Sequence, residues 1–365
     1  YLNKEIVADH IIGIMSGSSL DGLDMALCRI EVLNGVPVWE LLEAQTVSFP
    51  TALHKDLYSA PSRSGFDLMK LDAEFGKYIG TETHKWITQH ALKVALIASH
   101  GHTVFHEPTL GFTTQIGSGA HIAFASGIDT ITSFRSADVA AGGQGAPFAP
   151  VVDKGLFPGY DAYLNLGGIA NVSMKLSDGL WKAWDIGPCN QALNHLARKA
   201  GHHYDEGGQM ARSGTVNMTI TDQLIAMFPF KDGQPKGLSN AEVQSTWIEF
   251  IDASSIEVTD LMASVTEAIA RMIYIHLQVL KDKGAKVLVT GGGAFNTYLM
   301  DRLKQLTATD HISIHLPSPA VINYKECVLM AWLGYLTMQG KSYGIAPLTG
   351  ASAETIGGAF FKAKR

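Results

Sequence analysis

The chain has 365 residues, enough for two domains with full cores. A composition of 46% hydrophobic and 17% charged residues is that of a soluble globular protein, which excludes a disordered or fibrous chain. A net charge of −6 argues against a nucleic-acid binder, and no apolar run approaches the ~18 residues needed to cross a membrane.

In chain order, the first half predicts strands at 11–15, 23–32 and 38–47, a helix over about 67–90 and a strand at 94–99. The helix rests on Leu68, Leu71, Phe75, Ile79 and Trp86 at helical spacing. The second half repeats the order, with strands at 162–166, 170–176 and 180–184 and a helix at 190–200. A long helix follows at 261–283, with Thr259 or Asp260 as N-cap and Gly284 past its end. Next come a strand at 286–290, a helix at 296–306, a strand at 311–316 and a last helix at 325–339. Three meandering strands followed by alternating helices and strands, occurring twice, read as a duplicated α/β architecture with mixed sheets.

Each half has a glycine turn between its first two strands. The first is Ser16-Gly17-Ser18-Ser19-Leu20-Asp21-Gly22-Leu23-Asp24. Its glycines let the backbone approach a phosphate, to which the N–H and hydroxyl groups can donate. Asp21 and Asp24 are candidates for holding Mg²⁺ through water. A strand follows rather than a helix, and no G-x-x-x-x-G-K-[ST] occurs, which argues against a P-loop NTPase. By itself this segment is equally satisfied by a Ser/Gly hairpin turn without a ligand. The second turn is Asn165-Leu166-Gly167-Gly168-Ile169-Ala170-Asn171, and a plain hairpin is again the alternative. Two such turns facing one another across a cleft would clamp a triphosphate.

Gly291-Gly292-Gly293-Ala294-Phe295-Asn296 ends a strand and opens a helix, the place where a parallel strand delivers a ligand site. Three glycines leave room for a flat adenosine moiety, and G-x-G-x-x-G is not matched. Asp185, in Trp184-Asp185-Ile186-Gly187-Pro188-Cys189-Asn190, stands at an expected strand end before a helix. The helix N-terminus favours its ionised form and burial beside Trp184 and Ile186 opposes it. That makes Asp185 a general-base candidate, with a helix N-cap as the alternative. His100-Gly101-His102-Thr103-Val104-Phe105-His106 has no zinc spacing, so substrate hydrogen bonding or ordinary loop histidines are the readings. Arg135 can meet a carboxylate or phosphate in bidentate fashion, or form a surface or interdomain salt bridge. The stretch Gly142-Gly143-Gln144-Gly145-Ala146-Pro147 that follows reads as a hinge or a cleft wall. Glu326 opens the last helix, where dipole compensation is the default explanation. Three cysteines (Cys28, Cys189 and Cys327) are odd in number and without metal spacing, so a reduced, cytosolic setting is expected.

Taken in order, these segments resemble the anhydro-N-acetylmuramic acid kinases, of the sugar kinase, actin and heat-shock-chaperone ATPase fold group. The marks are the run from Met15 to Asp24, Phe134-Arg135 with Ala141-Gly142-Gly143-Gln144-Gly145-Ala146-Pro147, residues 165–171, Asp185-Ile186-Gly187-Pro188, and residues 291–296. The resemblance implies a duplicated two-domain actin/hexokinase-like ATPase fold with mixed sheets and an interdomain cleft. We expect a first domain at 1–133, with 344–365 packing back, and a second at 134–343. It implies an ATP-dependent kinase that opens the ring of 1,6-anhydro-N-acetylmuramic acid with water and phosphorylates O6, in peptidoglycan recycling. Asp185 would be the catalytic base. Gly17, Ser18, Ser19, Leu20, Asp21, Gly22, Leu23, Asp24, Gly167, Gly168, Gly291, Gly292, Gly293 and Asn296 would hold ATP. Arg135, Glu326 and His102 would face the sugar, and Asp21 and Asp24 the Mg²⁺ ion. A cytoplasmic homodimer is the implied setting, with no nucleic-acid or membrane partner. The chain departs from the family pattern at Ser18, His102, Ser133, Ile186, Cys189, Asn323 and the Pro235-Lys236 segment. These changes bear on the acceptor more than on phosphoryl transfer, so a same-fold kinase with another sugar acceptor stands as an alternative. A non-catalytic ATP-binding sensor is a further one, and the presence of Asp185, Asp21 and Asp24 weighs against it.

Overall fold

The computed structural model describes residues 9–364 apart from 18, 19, 21, 177, 178, 180 and 229–236. Ser18, Ser19 and Asp21 of the first glycine turn, and the Pro235-Lys236 segment, therefore lie outside the described residues. In chain order the strands are β1 (Asp9–Ser16), β2 (Leu23–Leu33), β3 (Val36–Val47), β4 (Leu96–Ser99), β5 (His102–Glu107), β6 (Phe112–Ile116), β7 (Thr130–Thr132), β8 (Ala162–Leu166), β9 (Ile169–Lys175), β10 (Trp181–Pro188), β11 (Lys286–Thr290), β12 (Ser313–His315) and β13 (Ala359–Phe361).

The chain forms two compact units, one of Tyr1–Pro158 with Tyr324–Arg365 and one of Gly159–Asn323. The boundaries thus fall after Pro158 and Asn323 rather than after 133 and 343. The reason is packing. Val151, Val152 and Leu156 of the helix Ala149–Leu156, and the run from Cys327 to Leu333, share one core with β1 and β2.

The first unit's main sheet has the order β13-β7-β4-β1-β2-β3. Strands β1, β2 and β3 form an antiparallel meander, and β4 and then β7 add in parallel beside β1. The second unit's sheet, β10-β9-β8-β11-β12, repeats this: an antiparallel meander of β8, β9 and β10, with β11 and β12 parallel beside β8. The duplicated α/β architecture read from the sequence is present in the hydrogen-bond ladders. A separate hairpin of β5 and β6, not anticipated from the sequence, carries the histidine-rich stretch.

Alternation along β1 and β2 explains why both faces of this sheet are covered. Ile12, Ile14, Met25 and Leu27 point into one core with Leu71, Phe75, Ile79 and Trp86 of the helix Gly65–Gln89. Ile11, Ala26, Cys28 and Ile30 point into the other, beneath the helix Pro319–Met338. Ser64 caps the first of these helices, its Oγ accepting from the Asp67 N–H at 3.1 Å. The second runs further back than expected and is broken at Tyr324 (φ −114°, ψ 19°), so Glu326 opens its continuous part. In the second unit the long helix is Val258–Leu277, starting earlier than expected, with Glu257 at the N-cap. Asp260 is not its cap, because its carboxylate accepts the Thr215 N–H at 2.7 Å and ties down the preceding loop.

The helix Pro319–Met338 crosses β1 at Gly13, where a Cβ would lie 1.7 Å from the Cys327 carbonyl oxygen. Only a residue without a side chain admits this approach. Gly13→Ala is expected to destabilise the fold by about 1–3 kcal/mol through overpacking. Urea unfolding of the two proteins measures it, and an unchanged midpoint would contradict the tight crossing.

Candidate functional site

In the first unit, candidate residues gather at the carboxyl ends of the parallel strands β1 and β4, where ligands bind in open α/β sheets. Ser16 ends β1, Ser99 ends β4 and His102 begins β5. Among the described residues Ser16 Oγ, Ser99 Oγ and His102 Nδ1 are buried without a hydrogen-bond partner, the state of groups that await a ligand or water. Burial lowers the His102 pKa, so the ring is neutral. Leu20, in the turn after β1, has φ +56° although it is not glycine, and its N–H bonds the Gly17 carbonyl at 3.1 Å. Backbone strain of this kind is concentrated at ligand loops.

Arg135 is held on several sides. Its Nε donates to His100 Nε2 at 2.9 Å and its Nη1 to the Gly145 carbonyl at 2.5 Å. Its guanidinium carbon lies 5.1 Å from the Phe148 ring centre. His100 is buried, and desolvation with the Arg135 charge lowers its pKa to about 3. The neutral ring can therefore accept from Arg135 while its Nδ1 donates to the Gly101 carbonyl at 3.0 Å. In sequence His100 is one of a histidine-rich stretch, and its pairing with Arg135 is hidden there because the two lie 35 residues apart. Neither a surface nor an interdomain salt bridge describes Arg135, whose favourable charge neighbour is Glu326 of the same unit. Glu326 is solvent-exposed, yet crowding by protein raises its pKa, the Asp24 charge adds to the rise, and Arg135 and Lys325 oppose it. Asp24 accepts from Thr46 Oγ1 at 2.6 Å, and Thr46 Oγ1 lies 3.2 Å from the Tyr324 hydroxyl at the helix break. Lys325 pairs with the buried Asp153 at 2.6 Å. The turn, Arg135, His100 and Glu326 thus form one electrostatic group within this unit.

In the second unit the Gly291–Gly293 run meets the β8–β9 turn. A Cβ on Gly291 would lie 2.6 Å from Asn165 Oδ1, and one on Gly293 would lie 2.7 Å from Leu166 Cβ. Those glycines let β11 pack against the β8–β9 turn. A Cβ on Gly292 would meet only Asn190 Nδ2, at 3.5 Å. Gly292, Gly293 and Asn296 line a pocket of about 550 Å³ with Asn190, Asn194, Tyr204, Glu206 and Phe295. Asn190 Nδ2 donates to the Leu166 carbonyl at 2.9 Å, and Asn296 Oδ1 accepts from the Leu299 N–H at 2.9 Å as a helix cap. Thr297 Oγ1 donates to the Gly207 carbonyl at 2.8 Å and pins the Tyr204 segment to this wall. Among the described residues no lysine or arginine lines the pocket.

Asp185 is placed differently from the sequence expectation. Strand β10 continues through it to Pro188, with a bulge between Asp185 and Gly187, and the helix begins only at Asn190. The N–H groups of Cys189, Asn190 and Gln191 bond the Gly167 and Gly168 carbonyls, so they are spent on the turn. Burial raises the Asp185 pKa, as anticipated, and the group that opposes the rise is the Leu238 N–H, 2.7 Å from Oδ2, rather than a helix terminus. Beside it, Trp184 Nε1 donates to Nδ1 of the buried His276 at 2.7 Å.

The profile of one protein family, described as anhydro-N-acetylmuramic acid kinase, matches residues 9–363. The chain belongs to this family. An anhydro-N-acetylmuramic acid kinase of Bordetella pertussis is 33% identical over 371 residues, covering 96% of this chain and 96% of that one. Those of Pseudomonas putida and Synechococcus elongatus are each 32% identical, covering 96% of this chain and 99% of theirs. Among the described residues of this family member, no helix is long and apolar enough to cross a membrane.

Two buried histidines give this kinase a pH signature. Burial lowers the His276 pKa to about 4, as it lowers that of His100 to about 3. The unfolded chain protonates both near pH 6.5. Between these limits the unfolded state binds more protons, so stability is full above about pH 6.5 and falls as pH drops toward 4. Urea midpoints measured from pH 7.5 to 5 should decline, and less steeply in His276→Gln; equal slopes would contradict a neutral, buried His276.

Proposed function

We propose that the chain is an ATP-dependent kinase that adds water across the 1,6-anhydro bond of 1,6-anhydro-N-acetylmuramic acid and phosphorylates O6, in cell-wall recycling. Family membership over residues 9–363 supports the reaction. The observation that carries the mechanism is Asp185, a carboxylate whose pKa is raised by burial and whose Oδ2 is held by one N–H. Such a group takes a proton more readily than an exposed aspartate. Asp185 removes the proton of the water that attacks C1. The C1–O6 bond breaks, O6 takes the γ-phosphoryl group, and the bond from that phosphorus to the β-phosphate oxygen breaks with ADP as the leaving group. An inverting glycosidase needs an acid for the departing oxygen; here O6 is phosphorylated, and one base suffices.

The residues present fit a nucleotide. The pocket beside Gly292 combines the aromatic rings of Tyr204 and Phe295 with Asp205 and Glu206 and, among the described residues, no cation, which suits a base and ribose rather than phosphates. Ser16 Oγ, buried and unpartnered where β1 meets the glycine turn, suits a phosphate or sugar oxygen. Bound ATP supplies the phosphoryl group, and Mg²⁺ offsets its charge. Asp24, with Asp21, would hold the ion, and Arg135, His102 and Glu326 would orient the sugar. A cytoplasmic homodimer completes the reading, on family resemblance.

Mass spectrometry of the sugar after incubation with ATP, Mg²⁺ and the anhydro-sugar tests the reaction. A product carrying one phosphoryl group and one added water is expected, and its formation should be lost in Asp185→Asn. Near-normal turnover in that variant would remove Asp185 from the role. For the nucleotide pocket, Tyr204→Ala should raise the KM for ATP about fivefold or more by loss of stacking, and a KM equal to that of the unaltered enzyme would place the base elsewhere.

A further inference from the structure

We propose that Asp138 is a positioning residue that holds Arg135 ready for the sugar; this rests on the reading of Arg135 as a sugar contact. Asp138 lies on the short helix Ser136–Ala140, three residues after Arg135, and is 2% exposed. Its two oxygens have separate tasks. Oδ2 accepts the Gly145 N–H at 2.7 Å, and Oδ1 accepts from Thr349 Oγ1 at 2.7 Å. The chain closes tightly over this carboxylate: a Cβ on Gly143 would lie 2.3 Å from Oδ2. Gly145 has φ +63°, and a Cβ there would strike Val139 Cγ2 at 2.7 Å. With its N–H fixed and its torsion set by packing, the direction of the Gly145 carbonyl is also set. That carbonyl accepts Arg135 Nη1.

The chain from Asp138 through Gly145 to the guanidinium fixes one side of Arg135. His100 and the Phe148 face bear on it from others. The loop is braced from the far end of the sequence as well. The Gln144 N–H bonds the Thr349 carbonyl at 3.0 Å, and the Ser352 N–H bonds the Ala141 carbonyl at 2.9 Å. A buried carboxylate that ties Thr349 to the loop delivering one acceptor to one arginine is preorganisation. Asparagine has one acceptor oxygen and cannot serve both donors.

The test is steady-state kinetics of Asp138→Asn, Thr349→Val, Arg135→Ala and the double variant Arg135→Ala/Asp138→Asn. Asp138→Asn should raise the KM for the anhydro-sugar about tenfold, with kcat and the KM for ATP within about twofold. The double variant should be no worse than Arg135→Ala alone, because Asp138 acts through Arg135. Thr349→Val removes one of the two bonds, and should raise the same KM about threefold; it decides the matter if Asp138→Asn does not fold. The proposal is overturned if the two single effects multiply in the double variant, or if both KM values rise together as in general loosening. It is equally overturned if Arg135→Ala raises the sugar KM while neither Asp138→Asn nor Thr349→Val does. An unchanged sugar KM in Arg135→Ala would instead remove Arg135 from the sugar, and the role of Asp138 with it.

Discussion

The first unit depends on one close crossing, that of the helix Pro319–Met338 over β1 at Gly13. A helix that lies against the strand backbone brings the residues at its break, Tyr324 to Glu326, toward the glycine turn at the strand's end. Tyr324 then reaches Thr46, Lys325 reaches the buried Asp153, and Glu326 comes under the fields of Asp24 and Arg135. Had position 13 carried a side chain, the helix would have to stand off, and all three contacts would lengthen together. The site in this unit is therefore a property of sheet packing as much as of the loop that looks like a binding motif.

The second unit shows a related economy. Gly291 and Gly293 let β11 close on the β8–β9 turn, and Gly292 between them meets only Asn190 Nδ2, at 3.5 Å, and lines the pocket. The same run satisfies a packing demand on alternate residues and leaves backbone for a ligand at the remaining one. Asparagines do the joining: Asn190 to the turn carbonyl and Asn296 to the next helix. Because these side chains are already committed, the pocket wall is rigid before any ligand arrives, which lowers the cost of ordering on binding.

Much of this was legible in the sequence because strands covered on both faces, amphipathic helices and glycine turns are local signals. The two meanders, the long helices and the glycine runs were placed within a few residues. What escaped was non-local. His100 acts on Arg135 from another strand end, Asp138 joins a segment 211 residues away, and the Leu238 N–H reaches Asp185 across 53 residues. Asp185 looked like a residue before a helix because Gly187-Pro188 breaks the pattern. In the fold a bulge absorbs that break and the strand goes on. The unit boundaries were misplaced for the same reason: which core the helices Ala149–Leu156 and Pro319–Met338 join is decided by partners distant in the chain.

The first unit is made of both chain ends, and its edge strand β13 pairs with β7 only through residues 359–361. The second unit is continuous and ends before that strand begins. During synthesis the later-encoded unit can complete its sheet while the earlier one still lacks its final helix and strand. The half of the protein that carries Asp185 is thus able to fold first, and the half that carries the serine-rich turn must wait, with one core face uncovered, for residues 324–361 to leave the ribosome.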